Sequence, residues 1–63
     1  MSDLLPITLD DEIICIRREI AMRERVFPRW VSGGKMKAHN AEHEIAVMRA
    51  VLERLLRIER GEP

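Results

Sequence analysis

The chain has a single cysteine, two aromatic residues and no tyrosine. Cys15 has no partner for an internal disulfide, and without a second cysteine the sequence has no zinc-ribbon spacing. A chain of 63 residues is near the size at which a domain buries barely enough surface to fold. Its core must therefore come from side-chain packing alone, and we expect packing between copies of the chain to contribute.

Net charge, long uncharged segments and a secretory leader are also missing. Eleven basic residues balance eleven acidic ones, which argues against the global electrostatic attraction of a dedicated nucleic-acid-binding protein. No uncharged run approaches the roughly 20 residues of a bilayer span, and the N-terminus has no basic segment followed by an apolar one. We expect a cytoplasmic protein that does not bind a membrane.

The first half of the chain has the pattern of one long helix, from about residue 8 to residue 32. Thr8 is a suitable N-cap, and Asp11 stands at the spacing of a capping box. Pro28 cannot donate a backbone hydrogen bond, so it either ends the helix near Phe27 or kinks it, and we predict a kink. One apolar stripe follows the helical period: Leu9, Ile13, Ile16, Ile20 and Phe27.

The second half predicts a short turn at residues 33–36 and a helix from about residue 37 to residue 60. The start of this helix is open between Lys37 and Asn40, because Asn is the better cap. Its apolar positions are spaced alternately by four and three residues: Ala41, Ile45, Met48, Leu52 and Leu55. The sequence thus predicts an all-α protein, built as an antiparallel two-helix hairpin.

Glycines and short tails mark the ends of the two predicted helices. Gly33 or Gly34 can supply the left-handed C-terminal cap of the first helix, and Gly61 can end the second. Residues 1–7 contain a proline and no periodicity, so we expect a flexible tail there, and residues 61–63 form a C-terminal tail.

Both helices carry more apolar surface than one partner helix covers. At 100° per residue, a second, narrower strip lies roughly opposite the main stripe of the first helix, and the apolar arc of the second helix spans about 180°. We therefore predict that two hairpins pair into a four-helix bundle. The alternative for the narrow strip is a few exposed apolar side chains, as on any surface. The residues predicted at the interface between copies are Cys15, Met22, Val26, Val47, Val51 and Ile58.

A basic segment around the predicted turn contains both aromatic residues. Arg25, Arg29, Trp30 and Lys35 are candidates for binding a partner, because an aromatic ring among cations can contact an acidic helix or stack on a base. The alternative is structural. Phe27 and Trp30 are the large rings available to close the end of the hairpin, with the arginines extending into solvent.

The segment from His39 to His43 matches the H-x-x-E-H pattern of a metallopeptidase, with Glu42 as its acid. A catalytic zinc site also needs a third ligand and a substrate cleft, which two helices and a tail can hardly supply. We therefore predict no catalytic residue and no cofactor, and keep a genuine or adventitious metal site at the two histidines as an alternative. Cys15 lies in mid-helix with no histidine nearby in sequence, so we expect a packed, unreactive thiol.

A second alternative comes from the distribution of the arginines along the first helix. Arg17, Arg18, Arg25 and Arg29 lie within a segment of thirteen residues that contains only two acids. A dimer would carry two such patches, and paired basic patches can bind phosphates. This alternative is a nucleic-acid-associated protein.

Residues in several segments of the chain match one pattern, whose most specific part is the R-x-R-V-(Y/F)-P-R-W-V segment. The matching residues are Glu12-Ile13, Arg17-Arg18-Glu19-Ile20, Met22-Arg23, Arg25-Val26, Pro28-Arg29-Trp30-Val31, Gly34, Met36, Ala41, Glu44-Ile45, Met48 and Ala50-Val51-Leu52. Together they resemble a family of small, uncharacterised phage and prophage proteins, and the similarity covers about residues 12 to 56. Here Phe27 stands where Tyr is common in the family, and Lys37 where Ser or Thr is usual.

The resemblance implies a phage context and brings no activity, cofactor or catalytic residue with it. Together with the small size and the excess apolar arc, it leads to one hypothesis. We expect a non-enzymatic protein-interaction module that acts as a homo-oligomer, most simply a homodimer, and binds a further protein that the sequence does not identify.

Overall fold

Two α-helices make up the fold in the computed structural model, which describes residues 6–62 of the chain. The first, α1, spans Leu9–Ser32, and the second, α2, spans Ala38–Glu59. The helices pack against each other, and the described range contains no strand. The predicted all-α class and its two packed helices are therefore confirmed. Residues 1–5 of the predicted N-terminal tail lie outside the described residues.

The start of α1 is fixed by a capping box. The Thr8 Oγ1 accepts a hydrogen bond from the Asp11 backbone N–H at 3.0 Å, and the Thr8 N–H donates to the Asp11 Oδ2 at 3.1 Å. Both backbone N–H groups thus have an acceptor, although the third residue of the helix is Asp and not the longer Glu that is usual in a capping box. Asp10 and Glu12 add negative charge in the first turn, at the positive end of the helix dipole.

The helix α1 continues past Pro28 to Ser32, so it does not end near Phe27. Because the helical phase persists, Trp30 reaches Phe27, with ring centroids 5.7 Å apart and planes tilted by 36°. The kink at Pro28 stays a prediction.

A Schellman motif closes α1 and turns the chain toward α2. The Lys35 N–H donates to the Trp30 carbonyl at 2.8 Å, and the Gly34 N–H donates to the Val31 carbonyl at 3.1 Å. Gly34 holds the left-handed conformation that this motif needs, at φ +76°, whereas Gly33 has an ordinary φ of −83°. Of the two glycines considered from the sequence, Gly34 is therefore the left-handed one.

The start of α2 is weaker than that of α1. Its N-cap is Lys37, which makes no side-chain capping hydrogen bond, and the first turn contains no acidic residue. Asn40 lies inside the helix, with its backbone N–H donating to the Lys37 carbonyl. Entry into α2 therefore depends on the turn and on packing more than on a cap.

The core is small and lies along the seam between the helices. Ile13, Ile20 and Phe27 of α1 and Ala41 of α2 are the buried residues of the described range, each 4–8% exposed. No described side chain is less than 2% exposed. The other residues of the two predicted stripes are half-buried: Leu9, Ile16, Ile45, Met48, Leu52 and Leu55.

Two ion pairs join the helices across this seam. Arg23 contacts Glu19 of its own helix at 3.3 Å and Glu44 of α2 at 3.2 Å, while Glu24 pairs with Arg49. These side chains are all at least one third exposed, so each pair contributes only tenths of a kcal/mol to about 1 kcal/mol. Apolar packing along the seam remains the main source of stability.

The capping box predicts a specific loss of stability. Thr8→Ala removes the acceptor for the Asp11 N–H and should destabilise the protein by about 1 kcal/mol. Thermal unfolding followed by circular dichroism at a fixed protein concentration measures this. Thr8→Ser keeps the hydroxyl and should stay close to the wild type. Equal midpoints for the alanine and serine variants would contradict the role assigned to the box.

The turn predicts a second loss of similar size. Gly34→Ala places a side chain at φ +76°, where the space is open but the backbone conformation is strained, and should cost about 1 kcal/mol. Gly34→Asn is the matched control, because Asn tolerates the left-handed region better than Ala does. Chemical denaturation should rank the variants wild type, Asn, Ala; an alanine variant as stable as the wild type would argue against the motif.

Candidate interaction surfaces

One side of α2 carries an apolar stripe that α1 does not cover. Val47, Val51 and Ile58 are 48%, 39% and 54% exposed, and at 100° per residue they lie within an arc of about 40°. We call these three residues the lateral stripe. They are half of the interface residues predicted from the sequence.

The other half of that set forms an outer strip on α1: Cys15, Met22 and Val26. Cys15 is exposed, so it is not the packed thiol expected within a single chain. Its place on the side of α1 away from the seam accounts for this. Met22 is 37% exposed and Val26 is half-buried. The ion pairs of Arg23 with Glu19 and Glu44 lie between the outer strip and the lateral stripe.

The four candidate partner-binding residues at the hairpin tip do not share one face. Trp30 is 45% exposed and packs against Phe27, so it both closes the core and presents a surface. Arg25 and Arg29 are exposed, but they lie about 140° and 100° around α1 from Trp30. Lys35 follows in the turn and is exposed as well. The tip thus has an aromatic side and a basic side.

Three arginines do share a face of α1. Arg18, Arg25 and Arg29 lie within about 40° of each other on the side that points away from α2. None of them forms an ion pair within residues 6–62. Arg17 lies about 100° from Arg18, so it belongs to a different face. The basic face therefore consists of these three arginines and not of the four that the sequence suggested.

The two histidines of the H-x-x-E-H pattern lie one turn apart near the start of α2, and both His39 and His43 are exposed. Within the described range, no group of three or more His, Cys, Asp or Glu side chains is placed to hold a metal ion. A metal ion bound at this position would thus have two histidines of one helix as its ligands.

A groove between the helices was not predicted from the sequence. Small side chains on one flank of α2, Ala38 and Ala46, leave space beside Pro28 near the turn. The Glu24–Arg49 ion pair stands at its edge. The signal in the sequence is the pair of alanines, whose small side chains leave a gap in the apolar pattern of α2. The apolar lining of the groove consists of Phe27, Pro28, Val31, Ala38, Ala41, Ile45 and Ala46.

These surfaces are the basis for a functional proposal. Within residues 6–62, neither helix combines the length and the apolar character needed to cross a membrane. Comparison with known proteins identifies no relative: no family model, no curated protein and no solved structure matches the chain.

Proposed function

We propose that this protein is a non-enzymatic protein-interaction module that acts as a homo-oligomer, with a four-helix bundle of two hairpins as its simplest form. One observation carries the proposal. Seven large apolar side chains of the described range are 37–79% exposed, whereas four residues are buried. Covering these side chains with a second copy removes apolar surface from water, which is favourable.

The proposed biological setting is the cytoplasm of a phage-infected or prophage-carrying cell. It is supported by the resemblance of residues 12–56 to small phage and prophage proteins. Part of the most specific segment, Phe27 to Trp30, has a structural use in closing the hairpin. In this proposal Arg25, Arg29, Trp30 and Lys35 remain the candidates for contact with a further protein.

A second candidate function is nucleic-acid association through the basic face of α1. The observation that favours it is the alignment of Arg18, Arg25 and Arg29 without an acidic partner in residues 6–62. Free guanidinium groups along one face can each neutralise a phosphate. A homodimer presents this face twice.

Self-association is tested by sedimentation equilibrium at micromolar concentration. We expect a species of twice the 7.4 kDa chain mass, because a second copy covers the exposed apolar side chains. The thermal midpoint should also rise with protein concentration, since dimerisation stabilises the folded chain by mass action. A species of 7.4 kDa with a midpoint that does not change with concentration would contradict the proposed function.

If the protein associates with nucleic acid, its affinity should fall steeply as the salt concentration rises. The protein should bind a labelled duplex at low ionic strength and lose roughly a thousandfold in affinity between about 50 and 200 mM salt, if six phosphates are neutralised by a dimer. Arg25→Ala should weaken binding, whereas Arg60→Ala, which removes an arginine already paired with Glu53 and Glu62, should not. Absence of binding at low salt would exclude this candidate.

A further inference from the structure

A cation lies at one edge of the lateral stripe of α2. Arg54 lies about 20° from Val47 around the helix, so a second helix placed over the stripe also covers its guanidinium group. Arg54 forms no ion pair within residues 6–62. Removing an unpaired charge from water is strongly unfavourable, so the covering partner must supply an anion at this position.

The same helix carries an anion at the other edge of the stripe. Glu44 lies about 20° from Val51, and its side chain is 50% exposed although Arg23 contacts its Oε1 at 3.2 Å. Glu44 and Arg54 are ten positions apart on α2, or about 15 Å along the axis, so they cannot meet within one chain. The remaining charged residues of α2 lie at least about 80° from the stripe.

We propose that the lateral stripe binds the lateral stripe of a second copy, with the two α2 helices antiparallel and Arg54 of each copy paired with Glu44 of the other. This inference rests on the proposed self-association and names its surface and register. The register that places Arg54 opposite Glu44 of the second copy also places Val47 opposite Val51. One alignment therefore satisfies both the charges and the apolar side chains.

A parallel arrangement of the two helices does not have this property. It places each residue of α2 opposite itself, so that Arg54 meets Arg54 in an interface from which water is partly excluded. Like charges in such a position are repulsive. The antiparallel arrangement is favoured because Arg54 then meets an acid.

The choice of α2 over α1 for this contact follows from exposure. Three of the seven exposed large apolar side chains lie on the lateral stripe, whereas the outer strip of α1 contributes Met22 alone. In the proposed register, Ile58 also lies near the start of α2 of the second copy, the end of the hairpin where Trp30 is 45% exposed. The outer strip of α1 is then left outside the α2 contact.

The surface is tested first with a matched pair of substitutions. Val51→Glu places a carboxylate in the centre of the proposed contact and should raise the dimer dissociation constant at least a hundredfold. Ile14→Glu changes an apolar side chain of α1 that is 49% exposed, outside the stripe, and should change the constant less than threefold. Equal effects of the two substitutions would overturn the assignment to α2.

The register is tested with a double-mutant cycle of Glu44→Ala and Arg54→Ala, in which sedimentation equilibrium gives the dimer dissociation constant. Each substitution should weaken the dimer roughly threefold to tenfold, and the double variant should be weakened no more than the stronger single one. Because the two residues cannot touch within a chain, this non-additivity reports contact between chains. Effects that multiply would overturn the antiparallel register.

The outcomes separate the two proposals. A wild-type protein that stays monomeric overturns both the self-association and this interface. A dimer with multiplicative effects in the cycle overturns the interface alone. If Val51→Glu loses its helical circular dichroism, the cycle still decides, because alanine is compatible with both exposed helical positions.

Discussion

The constraint on which this structure depends is that each helix of a hairpin has one neighbour. A single seam can bury one stripe of each helix, and here it buries Ile13, Ile20 and Phe27 against the small Ala41. Every other apolar position of the two helices must face the edge of the seam or the solvent. The exposure of the lateral stripe and the groove beside Pro28 both follow from this geometry, and the proposed pairing of two hairpins would add the second layer that a single hairpin lacks.

The same constraint decides which features could be predicted from the sequence. Thr8 and Asp11 act within one helical turn, and the stripes of the two helices follow the helical period, so local patterns were sufficient for both. The helical period also places Cys15 opposite the main stripe of α1, and it separates Arg25 and Arg29 from Trp30 once α1 remains helical past Pro28. The Arg23–Glu44 ion pair and the groove beside Pro28 depend on how the two helices lie against each other, so they required the three-dimensional structure.

Two arginines show how position relative to the seam changes the role of one residue type. Arg23 lies at the seam, where Glu19 of its own helix and Glu44 of the other are within 3.3 Å, and its guanidinium also stands 5.9 Å from the ring of Phe27. Arg54 lies on the far edge of α2, where α1 provides no acid. A charge that is paired within the chain supports the hairpin. A charge that is unpaired beside an apolar stripe instead restricts which partner the stripe accepts.

This division of surfaces makes the two functional candidates compatible in one molecule. A dimer formed through α2 leaves the basic face of α1, with Arg18, Arg25 and Arg29, exposed on both copies. Burying these arginines in the dimer would require six acids that the lateral stripes do not carry. The proposed self-association through α2 therefore keeps the basic faces available. A nucleic acid would then be bound by a pair of cationic faces whose spacing is set by the proposed dimer, so that loss of dimerisation should weaken its binding as well.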